Sequence, residues 1–325
     1  MTSQPTVQPG PLQPYRVLDL TDERGLVCGQ ILADLGADVI ALEPPGGNKA
    51  RRVGPFAGDA TDDPEASLWW ASYARNRRSA VIDIESEEGK QQLLDLVRGA
   101  DFLIESFEPG YLAGLGLDYE SLAAVNPALI HVSITPFGST GPKAGYAATD
   151  MIVMAASGPL VATGDSDRAP LRMGVPQAHL HAGAEAACGA LVAHRERLAS
   201  GRGQHVDVSA QQAAAAAMQS FILTSAIGEK DITRVTGGVS ISGITLPLVW
   251  KVKDGYVSLT FFFGTAMGPF SRRLMEWMYE EGACDEAMRD KDWIGYALLL
   301  LNGEEPEEEY RKVLDAVAAF LREKT

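Results

Sequence analysis

Hydrophobic and polar positions along this chain fall into blocks that switch between a strand-like run and a helical period. Arg16–Leu20 is a short apolar run. Gly25–Leu35 then carries Leu26, Ile31, Leu32 and Leu35 on one helical face, and Asp38–Leu42 is apolar again. Gly36 is placed to close the helix in the left-handed conformation. Strand, helix and strand within ~30 residues make a βαβ unit, whose crossover demands a parallel sheet with ligands at the strand carboxyl ends.

The alternation continues. A strand is expected at Ser79–Ile84, and a helix at Glu87–Arg98, opened by Ser86 and closed by Gly99. Then come a strand at Asp101–Glu105, a turn at Ser106–Gly110, a short helix from Asp118 to Val125 and a strand at Ala128–Ile134. After a turn-rich loop at Thr135–Gly145, helices are expected at Asp150–Gly158 and from about Gln177 to Ser200. The second has an Ala/Gly face (Ala182, Gly183, Ala186, Ala187, Gly189, Ala190) that lets another backbone approach. His205–Ser209 reads as a strand and Ala210–Ala226 as a helix. Beyond Gly228 the pattern changes. The glycine-rich stretch Arg234–Gly243 reads as mobile, Asp254-Gly255 marks a hairpin, and helices are expected at Pro269–Glu281 and Pro306–Glu323.

The expected fold class is therefore α/β: a large Rossmann-like domain with a parallel sheet at residues 15–228, and a smaller α+β domain at 229–325. Residues 1–14, rich in proline and glutamine, read as a flexible arm. A chain of 325 residues is long enough for two such cores.

Charge changes the picture more than composition does. The net charge of −15 argues against nucleic acid as a partner. It also makes two local basic clusters stand out, Lys49–Arg52 and Arg75–Arg78. No apolar run approaches the ~20 residues of a membrane span, and the N-terminus lacks the pattern of a secretory signal. The three cysteines, Cys28, Cys188 and Cys284, fit no metal spacing. The expectation is a cytoplasmic protein with reduced thiols and no metal. The first strand-to-helix turn reads TDERG, without the glycines of a dinucleotide fingerprint, so NAD is not expected.

Several segments together resemble the family III CoA-transferases, which include formyl-CoA:oxalate and carnitine CoA-transferases, α-methylacyl-CoA racemases and other CaiB/BaiF-like proteins. They are LDLT…LADLGADVIALEPPGG, RNRRSAVIDIESEEGKQQLLDLV, IESFEPGYLAGLGLDYESLAAVNPALIHVSITPFGSTGP, ATDMIVMAASG, ASGRGQHVDVS and WKVKDGYVSL. The resemblance implies an acyl-CoA enzyme, a CoA-transferase moving CoA between an acyl-CoA and a carboxylic acid acceptor. It also implies a dimer of interlocked chains. A CoA-binding subunit of a hetero-oligomer, or a racemase relative, is the alternative.

Coenzyme A carries a diphosphate and a 3′-phosphate and wants fixed cations. By resemblance, Arg75, Arg77 and Arg78 are expected near its phosphates or adenine, with Arg51 and Arg52 the weaker candidates and Ser106 and Phe107 bordering the nucleotide. A solvated charge run is the plain alternative for the arginines. The family's aspartate nucleophile is expected just before the long helix, where Val175 stands and can neither attack nor titrate. A racemase would use a histidine–aspartate pair, and here Thr149 precedes Asp150. Asp150 is the best-placed substitute carboxylate, with a helix N-cap as its plain alternative. His181 and Glu185, four apart, could form an acid/base pair or simply pack. Glu108 stands where many relatives place arginine. The chain also stops short of the segment with which relatives return to the large domain, and a partner chain is expected to supply it.

Overall fold

In the computed structural model, which describes residues 10–58, 60–219, 223, 226, 234–241 and 244–325, the chain divides into two units. The first comprises Met1–Leu160 and Arg172–Glu229; the second comprises Val161–Leu171 and Lys230–Thr325. The excursion Val161–Leu171 was not foreseen.

The first unit is built on six parallel strands: β1 (Arg16–Leu20), β2 (Asp38–Glu43), β3 (Arg78–Val81), β4 (Phe102–Glu105), β5 (Ile130–Thr135) and β6 (His205–Ser209). Their spatial order is β3-β2-β1-β4-β5-β6. Chain order reverses between β1 and β4, and that reversal opens a crevice at the carboxyl ends of these two strands. Both faces of the central strands are covered, which is why they read as apolar runs rather than alternations.

On one face Val17, Val39, Phe102, Ile104, Ile130, Val132 and Ile134 pack against α1 (Leu26–Asp34), α7 (Ala178–Ser200) and α8 (Ala210–Ala216). On the other face Leu18, Leu20, Leu42 and Leu103 meet Leu93 and Val97 of α3 (Glu87–Val97) and Leu122 of α5 (Tyr119–Val125). The Ala/Gly face of α7 does what its composition predicts. A Cβ on Gly183 would lie 2.8 Å from Val27 Cβ, so the glycine sets how closely α7 lies on α1.

Residues 10–14, read from sequence as part of a flexible arm, are packed at Leu12. Leu12 is 5% exposed within the core, and its N–H donates to Leu35 O at 3.0 Å. Gly36, at φ +98°, closes α1 as expected, and a Cβ there would come within 2.8 Å of Gly10 Cα. The chain from Gly10 onward is thus seated on the end of α1 rather than free.

The second unit has its own core around Trp293, Tyr296, Tyr310, Phe261 and Met275. The hairpin Val249–Val252 with Gly255–Ser258 forms at Asp254 as read from sequence, and helices span Gly264–Glu280 and Glu307–Arg322. The glycine-rich stretch differs from expectation: Gly238–Ile241 is a strand paired antiparallel to Ile244–Pro247. Gly238 is required by that pairing, since a Cβ would meet Leu246 O at 2.5 Å. Residues 242–243 and half of the helix expected at 217–226 lie outside the described residues.

Candidate active site at the β1/β4 crevice

The residues at the crevice come from three connections. After β1 the chain turns through Asp22–Gly25 into α1, and after β4 it turns through Ser106–Gly110 into α4 (Tyr111–Gly114). The two turns are bonded together. Ser106 Oγ accepts from the Asp22 N–H at 2.9 Å and donates to Asp22 Oδ1 at 2.9 Å. Arg24 grips Asp22 through Nε (3.0 Å) and Nη2 (3.0 Å) and reaches Glu108 Oε1 with Nη1 at 2.7 Å. Burial would raise the Asp22 carboxyl, but the Arg24 guanidinium and the Ser106 hydroxyl hold it below its ordinary value. Glu23 is pushed the other way, by burial and then by the charge of Asp22, and its Oε2 is buried without a hydrogen-bond partner.

The connection after β2 is fastened to the same place. Asn48 Nδ2 donates to Thr21 O at 2.7 Å, and the Asn48 N–H donates to Glu43 Oε2 at 2.8 Å. Arg51 is spent on Glu43 (2.7 Å) and Glu65 (2.6 Å) and lies over the Trp70 ring at 4.2 Å. Burial opposes the Glu43 charge, but Arg51, Ser79 and the Asn48 N–H bring its pKa down to about 2. The short helical turn Lys49–Arg52 therefore stands at the carboxyl edge of the sheet. Lys49 and Arg52 are exposed there, and Arg52 Nη2 donates to Gly46 O at 2.9 Å.

Across from the β1 turn lies the start of α7. Asp150 opens α6 (Asp150–Ala156), yet its side chain caps the other helix: Oδ1 accepts from the Ala178 N–H at 2.8 Å. Asp150 thus caps α7 and not its own helix, whose N-cap position is Thr149. The next residue, His179, senses Asp150, Arg24 and Asp22 electrostatically, and burial, ahead of these charges, holds its imidazole below the usual pKa. His179 was missed from sequence because no pattern links positions 22, 150 and 179. Val175 lies in the approach to α7, 46% exposed. Among the described residues His181 and Glu185 form no hydrogen bond with each other.

The RNRR cluster lies away from this crevice, where Arg75, Arg77 and Arg78 each pair with a carboxylate. Arg78 begins β3 and pairs with Asp38, the first residue of β2, at 2.6 Å; Arg75 lies 3.6 Å from Asp34 at the end of α1. Both occupy the amino edge of a parallel sheet, opposite the crevice. Asn76 between them takes φ +61°, a left-handed conformation that asparagine tolerates. Arg77 turns inward instead. Its side chain is 2% exposed, paired with Asp19 and donating to Leu26 O (2.8 Å) and Tyr73 O (2.8 Å). Ser106 lies inside the crevice, bonded to Asp22. Phe107 beside it stacks on Tyr111 with ring centroids 4.6 Å apart.

Residues 12–292 match CoA-transferase family III. The chain belongs to CoA-transferase family III. It is 38% identical over 287 residues to a subunit of succinyl-CoA:(R)-benzylsuccinate CoA-transferase from Thauera aromatica, covering 87% of this chain and 68% of that one. It is 41% identical over 212 residues to succinate–glutarate CoA-transferase of Agrobacterium fabrum, covering 64% of this chain and 53% of that one. A crystal structure of a CAIB/BAIF family protein from Brucella suis superposes with TM-score 0.72 at 33% identity, covering 86% of this chain and 72% of that one. Apart from the benzylsuccinate subunit, the chain spans about half the length of family III relatives such as the A. fabrum enzyme.

Proposed function

We propose that this family III chain binds an acyl-CoA at the β1/β4 crevice and takes part in moving CoA to a carboxylic acid acceptor. The observation that carries the proposal is the meeting of Arg24, Ser106, Asp150 and His179 at the topological switch point of a chain in this family. Lys49 and Arg52, at the same edge and with few partners, are the cations offered to CoA phosphates, in place of Arg75 and Arg78.

Asp150 is the reacting carboxylate in this proposal. Its carboxylate adds to the thioester carbonyl and expels CoA thiolate, leaving an acyl–aspartyl anhydride. The thiolate then adds to the aspartyl carbonyl, releasing the donor acid and leaving an aspartyl thioester. The acceptor carboxylate runs the same two steps in reverse and restores Asp150. Arg24 and the N-terminal end of α7 favour the oxyanions that form on the way. His179, neutral near pH 7, can donate a hydrogen bond to the acid that leaves. The chain's own assembly is proposed as a dimer, and its three free thiols suit a reducing compartment such as the cytoplasm.

A second reading is favoured by one observation: the 38%-identical relative is named as a subunit. In that reading this chain supplies CoA binding, and a homologous companion supplies the reacting carboxylate. A transfer assay with succinyl-CoA or acetyl-CoA against a panel of carboxylic acids separates the two. Transfer by the purified chain alone supports the first. Transfer only in a mixed complex supports the second. Transfer in neither preparation removes both.

A further inference from the structure

A cavity of about 240 Å³ lies beside α5, against β5 and β6 and at the end of β4. It is lined by Glu105, Tyr119, His131, Ser133, Thr135 and His205 among others. The strand period explains the gathering. Ile130, Val132 and Ile134 face the α7 core, so His131, Ser133 and Thr135 face the other way. Parallel pairing then sets His131 beside His205, and Ser133 beside Glu105.

These polar groups are not closed among themselves. Ser133 Oγ meets His205 Nε2 at 2.9 Å, and Glu105 Oε2 accepts the Phe107 N–H at 2.6 Å. Both ring nitrogens of His131 and the Thr135 hydroxyl are buried without a hydrogen bond, each residue being 3% exposed. The nearest carboxylate oxygen, Glu105 Oε1, is 3.9 Å from His131 Nε2. Buried polar groups left open in this way ask for an occupant. The cavity has room for several waters, or for a molecule of a few heavy atoms.

Charge and shape say which kind of molecule. The lining includes Glu105, Glu108, Asp118 and Glu120 and contains no lysine or arginine, so a carboxylate or phosphate is repelled. The Tyr119 ring stacks on His205 at 5.7 Å and lies 6.3 Å from His131, giving aromatic faces that attract a cation. We propose that this cavity is a binding site for a small primary alkylammonium, its N–H donors shared among Glu105, a ring nitrogen of His131 and the Thr135 hydroxyl. The site adjoins the proposed CoA crevice, but the argument for it does not rest on the transferase reading. The Ser106–Gly110 turn is a wall common to both, and Glu108 links the cavity to Arg24.

The test uses the full chain labelled in its histidine rings, without CoA, titrated with methylammonium chloride at constant ionic strength against potassium chloride. The proposal expects a saturable movement of two of the five histidine signals, those lost or shifted in His131→Phe and His205→Phe. Tetramethylammonium, which has no N–H, should give no such movement, nor should sodium acetate. Glu105→Gln should weaken methylammonium about tenfold or more, the scale of a lost charge-assisted hydrogen bond; Thr135→Val provides an independent weakening should Glu105→Gln fold poorly. Methylammonium acting no differently from potassium would mean a cavity filled by water, and the proposal would fall. An equal response to tetramethylammonium, or an unchanged affinity in both variants, would overturn it as well.

Discussion

Replacing Arg77 by methionine keeps the length of the side chain and removes its guanidinium from the interior of the first unit. The Arg77 and Asp19 side chains are 2% and 1% exposed, so neither charge is relieved by solvent. Asp19 retains its bonds from the Thr21 N–H (2.9 Å) and hydroxyl (2.6 Å), but its other oxygen loses its cation. The carbonyls of Leu26 and Tyr73 lose their donor at the same time. Breaking a buried pair from one side costs about 3–5 kcal/mol. Equilibrium urea unfolding followed by fluorescence, to which Trp69 and Trp70 contribute beside Arg77, should show a fall of that size. Asp19→Asn combined with Arg77→Met should recover part of it, since an amide oxygen still accepts from Thr21 and no charge is stranded. Arg75→Met and Arg78→Met, at side chains 58% and 65% exposed, should change stability by well under ~1 kcal/mol. An Arg77→Met protein as stable as the parent but unable to bind CoA would refute this reasoning and return Arg77 to the ligand.

Stability should depend on pH in two opposed ways. Burial raises Glu105 to about 7, so the folded chain holds a proton that the unfolded chain releases near 4.5; that contribution is complete below about 4.5 and is lost as pH rises through 7. Burial, then His205, lowers His131 to about 3, so its contribution is complete above about 6.5 and is lost as pH falls toward 3. The parent should therefore show a muted profile in unfolding titrations between about pH 4.5 and 6.5. Glu105→Gln should expose a stability that rises with pH, and His131→Phe one that falls. For Asp150, the asparagine variant keeps an oxygen for the Ala178 N–H and should retain the fold while losing transfer. Asp150→Ala should additionally cost about 1–2 kcal/mol for the lost cap, and a fully active Asp150→Asn would reduce the residue to that cap. Exposed Cys188 should react quickly with a thiol reagent, whereas Cys28, buried and with its thiol pushed well up, should react only on unfolding.

The sheet was legible because β1, β2 and β4 are largely apolar runs between turn residues, and α7 because its small residues recur on one face. What was not legible depends on where distant segments meet. Gly10–Leu12 reads as a flexible arm until Gly36 and Leu35 supply its contacts. The RNRR run looked like a phosphate site because its charge is visible in sequence. Which edge of the sheet it occupies is not, nor is the presence of Asp19 beneath Arg77. The neighbouring Lys49–Arg52, ranked lower from sequence, is the cluster that stands at the crevice. His179 carries no motif, and its nearness to Asp150, Arg24 and Asp22 depends on where α7 begins. The Glu105–His131–His205 cavity is likewise set by strand register, which no local pattern reveals.

The most direct test of the central claim is a crystal structure of the full chain with coenzyme A bound. The account predicts phosphates held by Lys49 and Arg52 at the carboxyl edge of β2, with the thiol end between the Asp22–Ser106 turns and Asp150–His179. Arg75 and Arg78 should remain on Asp34 and Asp38. Coenzyme A seated at the amino edge on Arg75 and Arg78, with the β1/β4 crevice left unengaged, would contradict it.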